Sequence, residues 1–280
     1  GRGSFHRYTD SLHHDSVREL TIETRLRKAI KDQLFQVKYQ PKIDLKTGKL
    51  IGFEALLRWH DKSSGLVVSP VEFIPVAERL GLIGNLGEWV LEEVCRHLMA
   101  WHNAGLEVVP VAVNISVQQL MKGDLAATVR RIVQNSGVKA QWLELEVTES
   151  CFIPEQADRI ADILHALRMQ GLRISIDDFG TGYSSLSYLR RLPLDALKID
   201  RTFVTDVAHN ADDARLASII IAMAKGMGLK VVAEGIENQD QLGFLQSHDC
   251  NEGQGFMFAK AESEQQVRQW LGEGWNPLSE

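Results

Sequence analysis

The sequence predicts an α/β protein in which about eight strands alternate with helices, the pattern of a closed (β/α)8-type barrel. Three observations lead there. The chain has 280 residues, enough for one large barrel or two ordinary domains. From residue 69 onward, short apolar runs alternate with stretches of helical period. The polar residues that break those runs fall in the strands or at their C-terminal ends, where a barrel gathers its chemistry. An open doubly wound sheet has the same element order, and periodicity alone does not separate the two.

Each element has its own signal. Ile22, Leu26 and Ile30 recur every fourth residue and predict a helix over residues 17–31. Residues 35–45 read as a strand interrupted by Pro41, Thr47-Gly48-Lys49 as a turn, and residues 50–59 as a second strand. These two form a hairpin, so the barrel does not begin with a clean parallel pair. Ser69-Pro70-Val71-Glu72 carries an N-cap, a first-turn proline and a capping-box acid, and Gly81 closes that helix. Leu91, Val94, Leu98 and Trp101 mark one face of a helix over residues 89–101. A strand over 108–116 precedes a helix over 117–134, and a strand over 142–149 precedes a helix marked by Ile160, Ile163, Leu164 and Leu167 and ended by Gly171. Strands follow at 172–177 and 196–200, then a helix marked by Leu216, Ile219, Ile220, Met223 and Met227. A strand at 231–234, a helix capped by Asn238, a last strand at 254–260 and a helix opened by Ser263 complete the order.

Composition narrows the class of function. Hydrophobic residues at 44% and charged residues at 24% are those of a soluble globular chain. A formal charge of −6 argues against a broad basic surface for DNA or another polyanion. Cys95, Cys151 and Cys250 are odd in number and widely spaced, and read as reduced cytoplasmic thiols, not a disulfide framework. No apolar run reaches the 18 residues of a membrane span, and no signal peptide is visible.

The informative residues are acids in apolar company. Glu54 interrupts Ile51-Gly52-Phe53, Asn114 follows Val111-Ala112-Val113, and Glu146 lies between Leu145 and Val147. Asp177 and Asp178 follow Ile174-Ser175-Ile176, Lys198 precedes Ile199-Asp200, Glu234 follows Val231-Val232-Ala233, and Gln254 starts the last strand. One buried acid can be satisfied by a hydrogen bond. Acids delivered by several strands to one mouth repel each other unless cations neutralise them. Oxygen-ligated Mg²⁺ or Mn²⁺ fits such a set, and two ions about 3.5–4 Å apart favour in-line phosphoryl chemistry.

The ordered motifs resemble the EAL-domain family. Tyr39-Gln40-Pro41, Glu54-Ala55-Leu56 with Arg58-Trp59, Val113-Asn114 and Glu146-Val147-Thr148-Glu149 come first. Asp177-Asp178-Phe179-Gly180-Thr181-Gly182, Lys198-Ile199-Asp200, Ala233-Glu234-Gly235-Ile236-Glu237 and Gln254-Gly255-Phe256 follow. The resemblance covers residues 17–272 and implies a modified TIM barrel with one antiparallel strand near the start, in keeping with the hairpin. It implies hydrolysis of cyclic di-GMP (c-di-GMP) to linear pGpG. It implies a first metal held by Glu54, Asn114, Glu146 and Asp177, and a second held by Asp177, Asp178 and Glu234. Lys198 would lie beside the attacking water, and Ca²⁺ would inhibit. Gln40, Leu56, Arg58, Glu237 and Gln254 would hold substrate or the surrounding network. Phe179, Gly180, Thr181 and Gly182 would form a loop, held by Glu149, that couples the metals to a homodimer interface. Phe258-Ala259-Lys260-Ala261 and Cys250-Asn251 depart from the family pattern, outside the implied ligands.

By composition, residues 1–16 read as a tail or expression scar headed by Gly1-Arg2-Gly3-Ser4, and by the same resemblance residues 17–34 are expected to be a linker helix from an upstream sensor or GGDEF-type domain. Residues 35–272 are the phosphodiesterase barrel and residues 273–280 a C-terminal tail. A c-di-GMP receptor without turnover is the competing function. It would be expected to lack one or more of Glu54, Asn114, Glu146, Asp177, Asp178, Lys198 and Glu234, and all seven are present. A phosphodiesterase for other dinucleotides also fits the residues. The segment 188–193, Tyr188-Leu189-Arg190-Arg191-Leu192-Pro193, is expected to expose its tyrosine and leucines until a second copy covers them.

Overall fold

The computed structural model describes residues 10–32, 34–61, 65–152, 156–180 and 186–278. Gly1 to Ser4 of the expected tail, and Thr181 and Gly182 of the expected loop, lie outside them. The chain divides by its internal contacts into two units, residues 1–36 with 57–86, and residues 37–56 with 87–280. In chain order the elements are α1 (Asp10–Lys31), β1 (Phe35–Asp44), β2 (Leu50–Asp61), β3 (Leu66–Val68), α2 (Pro70–Arg79), α3 (Ile83–Asn103), β4 (Val111–Ile115), α4 (Val117–Met121) and α5 (Leu125–Ser136). There follow β5 (Leu143–Thr148), α6 (Ala157–Arg168), β6 (Arg173–Phe179), α7 (Leu186–Leu189), β7 (Ala196–Ile199), α8 (Thr202–Thr205), α9 (Ala211–Gly226), β8 (Lys230–Ala233), α10 (Gln239–Ser247), β9 (Glu252–Gly253) and α11 (Glu264–Glu273).

The larger unit is a closed barrel. Its ring runs β1, β9, β8, β7, β6, β5, β4, β2, and a β1–β2 pairing closes it. From β2 round to β9 every pair is parallel, whereas β1 meets β9 antiparallel with Ile43 opposite Gly253. One reversed strand at the start follows from the hairpin, whose turn places Gly48 at φ 73° and returns the Asp44 N–H to the Lys49 carbonyl at 2.9 Å. The predicted helical stripes of α3 and α6 face the sheet: Leu91, Val94, Leu98 and Trp101 of α3 are all buried, as are Ile160, Leu164 and Leu167 of α6, whereas Leu216 and Ile219 of the α9 stripe are exposed. Each large side chain so enclosed contributes about 1.5–3 kcal/mol.

The smaller unit holds α1, β3 and α2. Phe35, Trp59 and Phe73 pack ring to ring with centroids 5.7–5.8 Å apart. The Ser69 and Glu72 capping box is formed as expected. α1 begins at Asp10, seven residues before the expected start, so part of the expected tail, His13 and His14 included, is helical. Residues 10–16 carry no apolar period, so only propagation from the periodic part extends the helix.

Four further expectations need correction. The helix expected over 117–134 is two helices, because Gly123 at φ 89° ends the first and Asp124 caps the second through the Ala127 N–H at 2.9 Å. Pro41 does not interrupt β1. The last strand precedes Gln254: its N–H reaches the Ala233 carbonyl at 2.9 Å, its carbonyl accepts from Ile236 at 3.1 Å, and the chain then turns. The expected C-terminal tail folds back, with Trp275 stacked on Trp270 at 4.5 Å and the Asn276 amide bonded to the Thr47 carbonyl. No helix among the described residues is long and apolar enough to cross a membrane, and the three cysteines are buried thiols outside any disulfide.

Candidate active site

Four carboxylates converge on one ammonium. Lys198 sits on β7 with no exposed surface, and its Nζ lies 2.7 Å from Glu234, 2.9 Å from Glu146, 3.2 Å from Asp177 and 3.3 Å from Glu54. These residues come from β2, β5, β6, β7 and the end of β8, which is the convergence that parallel strands in a closed ring impose. Burial disfavours the charge of Lys198, but Asp177, Glu146, Glu234 and Glu54 together raise its pKa well above the usual lysine range.

Amides complete the cluster. Asn114 donates through Nδ2 to Glu54 at 2.7 Å, which leaves its Oδ1 free to act as a ligand. Gln254 donates through Nε2 to Glu54 at 2.7 Å and to Glu234 at 2.8 Å. The acids are not equivalent. Burial pushes the Glu146 and Glu234 carboxyls up to about 7 and about 8, despite Lys198 beside both. Burial also acts on Glu54, but Lys198, Lys42, Gln254 and Asn114 hold it down at about 2.

Asp177 and Asp178 are neighbours in sequence, and neighbours on a regular strand point to opposite faces. Here the register of β6 against β7 shifts between Ile176 and Phe179, and Asp178 takes a left-handed φ of 55°. Aspartate tolerates that conformation better than most residues. A bulge of this kind re-aims a side chain. Carboxylate oxygens of Asp177, Asp178 and Glu234 therefore lie within 4.8 Å of one another, as do those of Glu54, Glu146 and Asp177. Asp177 belongs to both sets. Burial, with Asp177 and Asp200 nearby, pushes the Asp178 carboxyl up to about 6.

A family model described as the EAL domain matches residues 23–261. The chain belongs to the EAL-domain family. Cyclic di-GMP phosphodiesterase NbdA of Pseudomonas aeruginosa is 43% identical over 260 residues, which are 93% of this chain and 33% of that protein. The bifunctional diguanylate cyclase/cyclic di-GMP phosphodiesterase MucR of the same organism is 41% identical over 267 residues, 95% of this chain and 39% of MucR. Among solved structures, the PaMucR phosphodiesterase in complex with c-di-GMP superposes with a TM-score of 0.84 at 42% identity, covering 88% of this chain and 99% of that one. This EAL domain thus spans well under half the length of these two curated relatives.

Other residues expected in the site fall into place unevenly. The Gln40 amide of the EAL domain donates to the Ala259 carbonyl at 3.3 Å, a structural bond. Arg58 belongs to the smaller unit and donates to the Leu57 carbonyl at 3.0 Å, and Leu56 is half-buried. Glu237 is exposed and gives its N–H to Gln241. Glu149 is buried and accepts the Gly180 N–H at 2.8 Å, directly behind Phe179 at the end of β6. The expected exposure of Tyr188, Leu189 and Leu192 is not found. Leu189, Leu192 and Pro193 are buried within the chain, and Tyr188 packs on Phe152 with its hydroxyl on the Ala157 carbonyl.

Three interior residues had not been singled out: Lys42, Glu144 and Ser175. Lys42 Nζ bonds Glu146 at 2.7 Å and Glu144 at 3.1 Å, and Ser175 donates to Glu144 at 2.8 Å. Glu144 and Ser175 each stand two residues before a cluster acid, Glu146 and Asp177, so period two alone places them on the same barrel face.

Proposed function

We propose that this EAL domain hydrolyses c-di-GMP to linear pGpG with two divalent cations. The observation that carries the reading is the pair of three-acid sets that share Asp177 around a buried lysine. Relatives named as cyclic di-GMP phosphodiesterases and a similar structure in complex with c-di-GMP support the substrate. The donors fit Mg²⁺ or Mn²⁺, since all are hard oxygens. Gln254 Oε1 adds a buried oxygen with no hydrogen-bond partner.

In this reading Glu54, Asn114, Glu146 and Asp177 hold one ion, and Asp177, Asp178 and Glu234 the other. Bound there, the ions would neutralise the acids and polarise the phosphoryl group. Lys198 directs its ammonium at the attacking water and at charge that grows on phosphorus-bound oxygen. Its four carboxylate partners fix it before substrate arrives, so little reorganisation is needed. Gln254 ties Glu54 to Glu234 and keeps the two ligand sets in register.

The partners proposed with this activity are a second copy of the chain and a sensor or GGDEF-type domain ahead of α1, in the cytoplasm. The length of the relatives supports an added domain. Support for the dimer comes from α9, where Leu216 and Ile219 stand exposed one turn apart.

The test is incubation with c-di-GMP and Mg²⁺ or Mn²⁺, with products separated by chromatography. pGpG is expected, with loss of activity in chelator and inhibition by Ca²⁺, whose longer, looser coordination misplaces the water. Nucleotide bound but returned intact would make the domain a receptor. Faster cleavage of another dinucleotide would reassign the substrate, and full activity in excess EDTA would remove the metals from the mechanism.

A further inference from the structure

Beneath the acid cluster lies a second charged layer that the reaction does not use. Lys42 reaches inward from β1, the reversed strand of the barrel ring, and is 3% exposed. Its ammonium spans two acids on the same face of β5, Glu146 at 2.7 Å and Glu144 at 3.1 Å. Ser175 on β6 donates to the same Glu144 oxygen, Oε1, at 2.8 Å. Gly52 on β2 lies beside the lysine stem, where a Cβ would make ordinary contact with the Lys42 Cβ and Cδ at 3.8 Å. Glu146 is thereby gripped at both oxygens, Oε1 by Lys42 from the interior and Oε2 by Lys198 among the acids.

We propose that Lys42 is a positioning residue for the first metal site: it locks Glu146 through Oε1 so that Oε2 faces the metal. The proposal rests on the metal reading above. Glu144 is the counter-charge that keeps Lys42 in the barrel, and Ser175 keeps Glu144 in place. Without the ammonium, Glu146 Oε1 loses the bond that anchors it, and the carboxylate turns from its ligating pose whatever stands at position 144. Partners that orient metal ligands typically contribute 10–100-fold to affinity.

The sign of the effect separates positioning from plain electrostatics. Removing a nearby positive charge should by itself tighten cation binding. Loss of orientation should weaken it.

The experiment is calorimetric titration of the chain with Mn²⁺ alone, beside thermal unfolding in chelator. Lys42→Met is expected to weaken Mn²⁺ uptake by about tenfold or more. Glu144→Gln breaks the same buried pair but keeps the Lys42 bond to Glu146. It is expected to lower the unfolding temperature comparably while leaving uptake within about twofold, a split that a merely structural pair would not give. Should Lys42→Met fold poorly, the double variant Lys42→Met/Glu144→Leu strands no buried charge and is expected to fold, because such pairs can be replaced by apolar residues. It too should show the tenfold weakening. Wild-type affinity or tighter in the folded Lys42→Met or double variant overturns the role of Lys42. A wild-type chain that takes up no Mn²⁺ overturns the metal reading, and this inference with it.

Discussion

At the scale of single residues, the division of labour in the cluster sets distinct expectations. Glu54→Ala removes a carboxylate that two amides and Lys198 hold in place, and Asp177→Ala removes the acid common to both sets. Each should abolish turnover. Lys198→Ala should leave Mn²⁺ uptake at least as strong, because a competing cation is gone. Its turnover should fall by roughly 10²–10⁴-fold, the usual contribution of such a group. Initial rates and metal titrations on the three variants check this, and a near-normal rate for Lys198→Ala would strip it of its role. The acids were legible in the sequence because a charge inside an apolar strand is costly without a partner. Lys42 was not legible, because its partners lie 102 and 104 residues away and only barrel closure brings them together.

At the scale of elements, backbone geometry decides what the pattern leaves open. Alternation reads Asp177 and Asp178 as facing opposite ways, and only the register shift beside them turns both to one mouth. Gln254 was expected to start a strand and follows one, because the apolar run after it belongs to a turn packed on Ile236. A Cβ at Gly255 would fall 2.1–2.7 Å from the Ile236 backbone oxygen, nitrogen and carbonyl carbon, atoms that cannot swing aside. Gly255→Ala should therefore cost on the order of 1–3 kcal/mol, as overpacking does. It should also slow turnover by shifting Gln254 from Glu54 and Glu234. Gly243 in α10 is the contrast, because a Cβ added there would meet no other part of the chain within 4 Å. Gly243→Ala should stabilise by roughly 0.5–1 kcal/mol. Thermal unfolding of both variants in chelator reads the two signs. Equal shifts would mean that the close approach at Gly255 is relieved elsewhere.

At the scale of the whole molecule, a physical path joins an exposed helix face to the site. The family resemblance places a loop between the metals and a dimer interface, and the leucines first expected to form that interface are buried within the chain. α9 offers another surface. Leu216 and Ile219 are 45% and 57% exposed, and a two-fold contact between copies would cover them. The next residue, Ile220, points inward, and with Phe203 it lies against Gly180, where an added Cβ would meet Phe203 at 2.6 Å and Ile220 at 3.4 Å. Gly180 is two residues from Asp178 and is tied to Glu149 by its N–H. Pressure on α9 therefore reaches the second ligand set through packed atoms and the hydrogen bond from Gly180 to Glu149. Specific activity is expected to rise with protein concentration, in step with dimer measured by light scattering. Leu216→Glu with Ile219→Glu should give a monomer of low activity and normal unfolding temperature. Glu149→Ala should lower activity in the dimer too, because the loop loses its tether while every proposed ligand remains. A strictly monomeric chain whose specific activity is constant with concentration, together with an unaffected Glu149→Ala variant, would break the path at both ends.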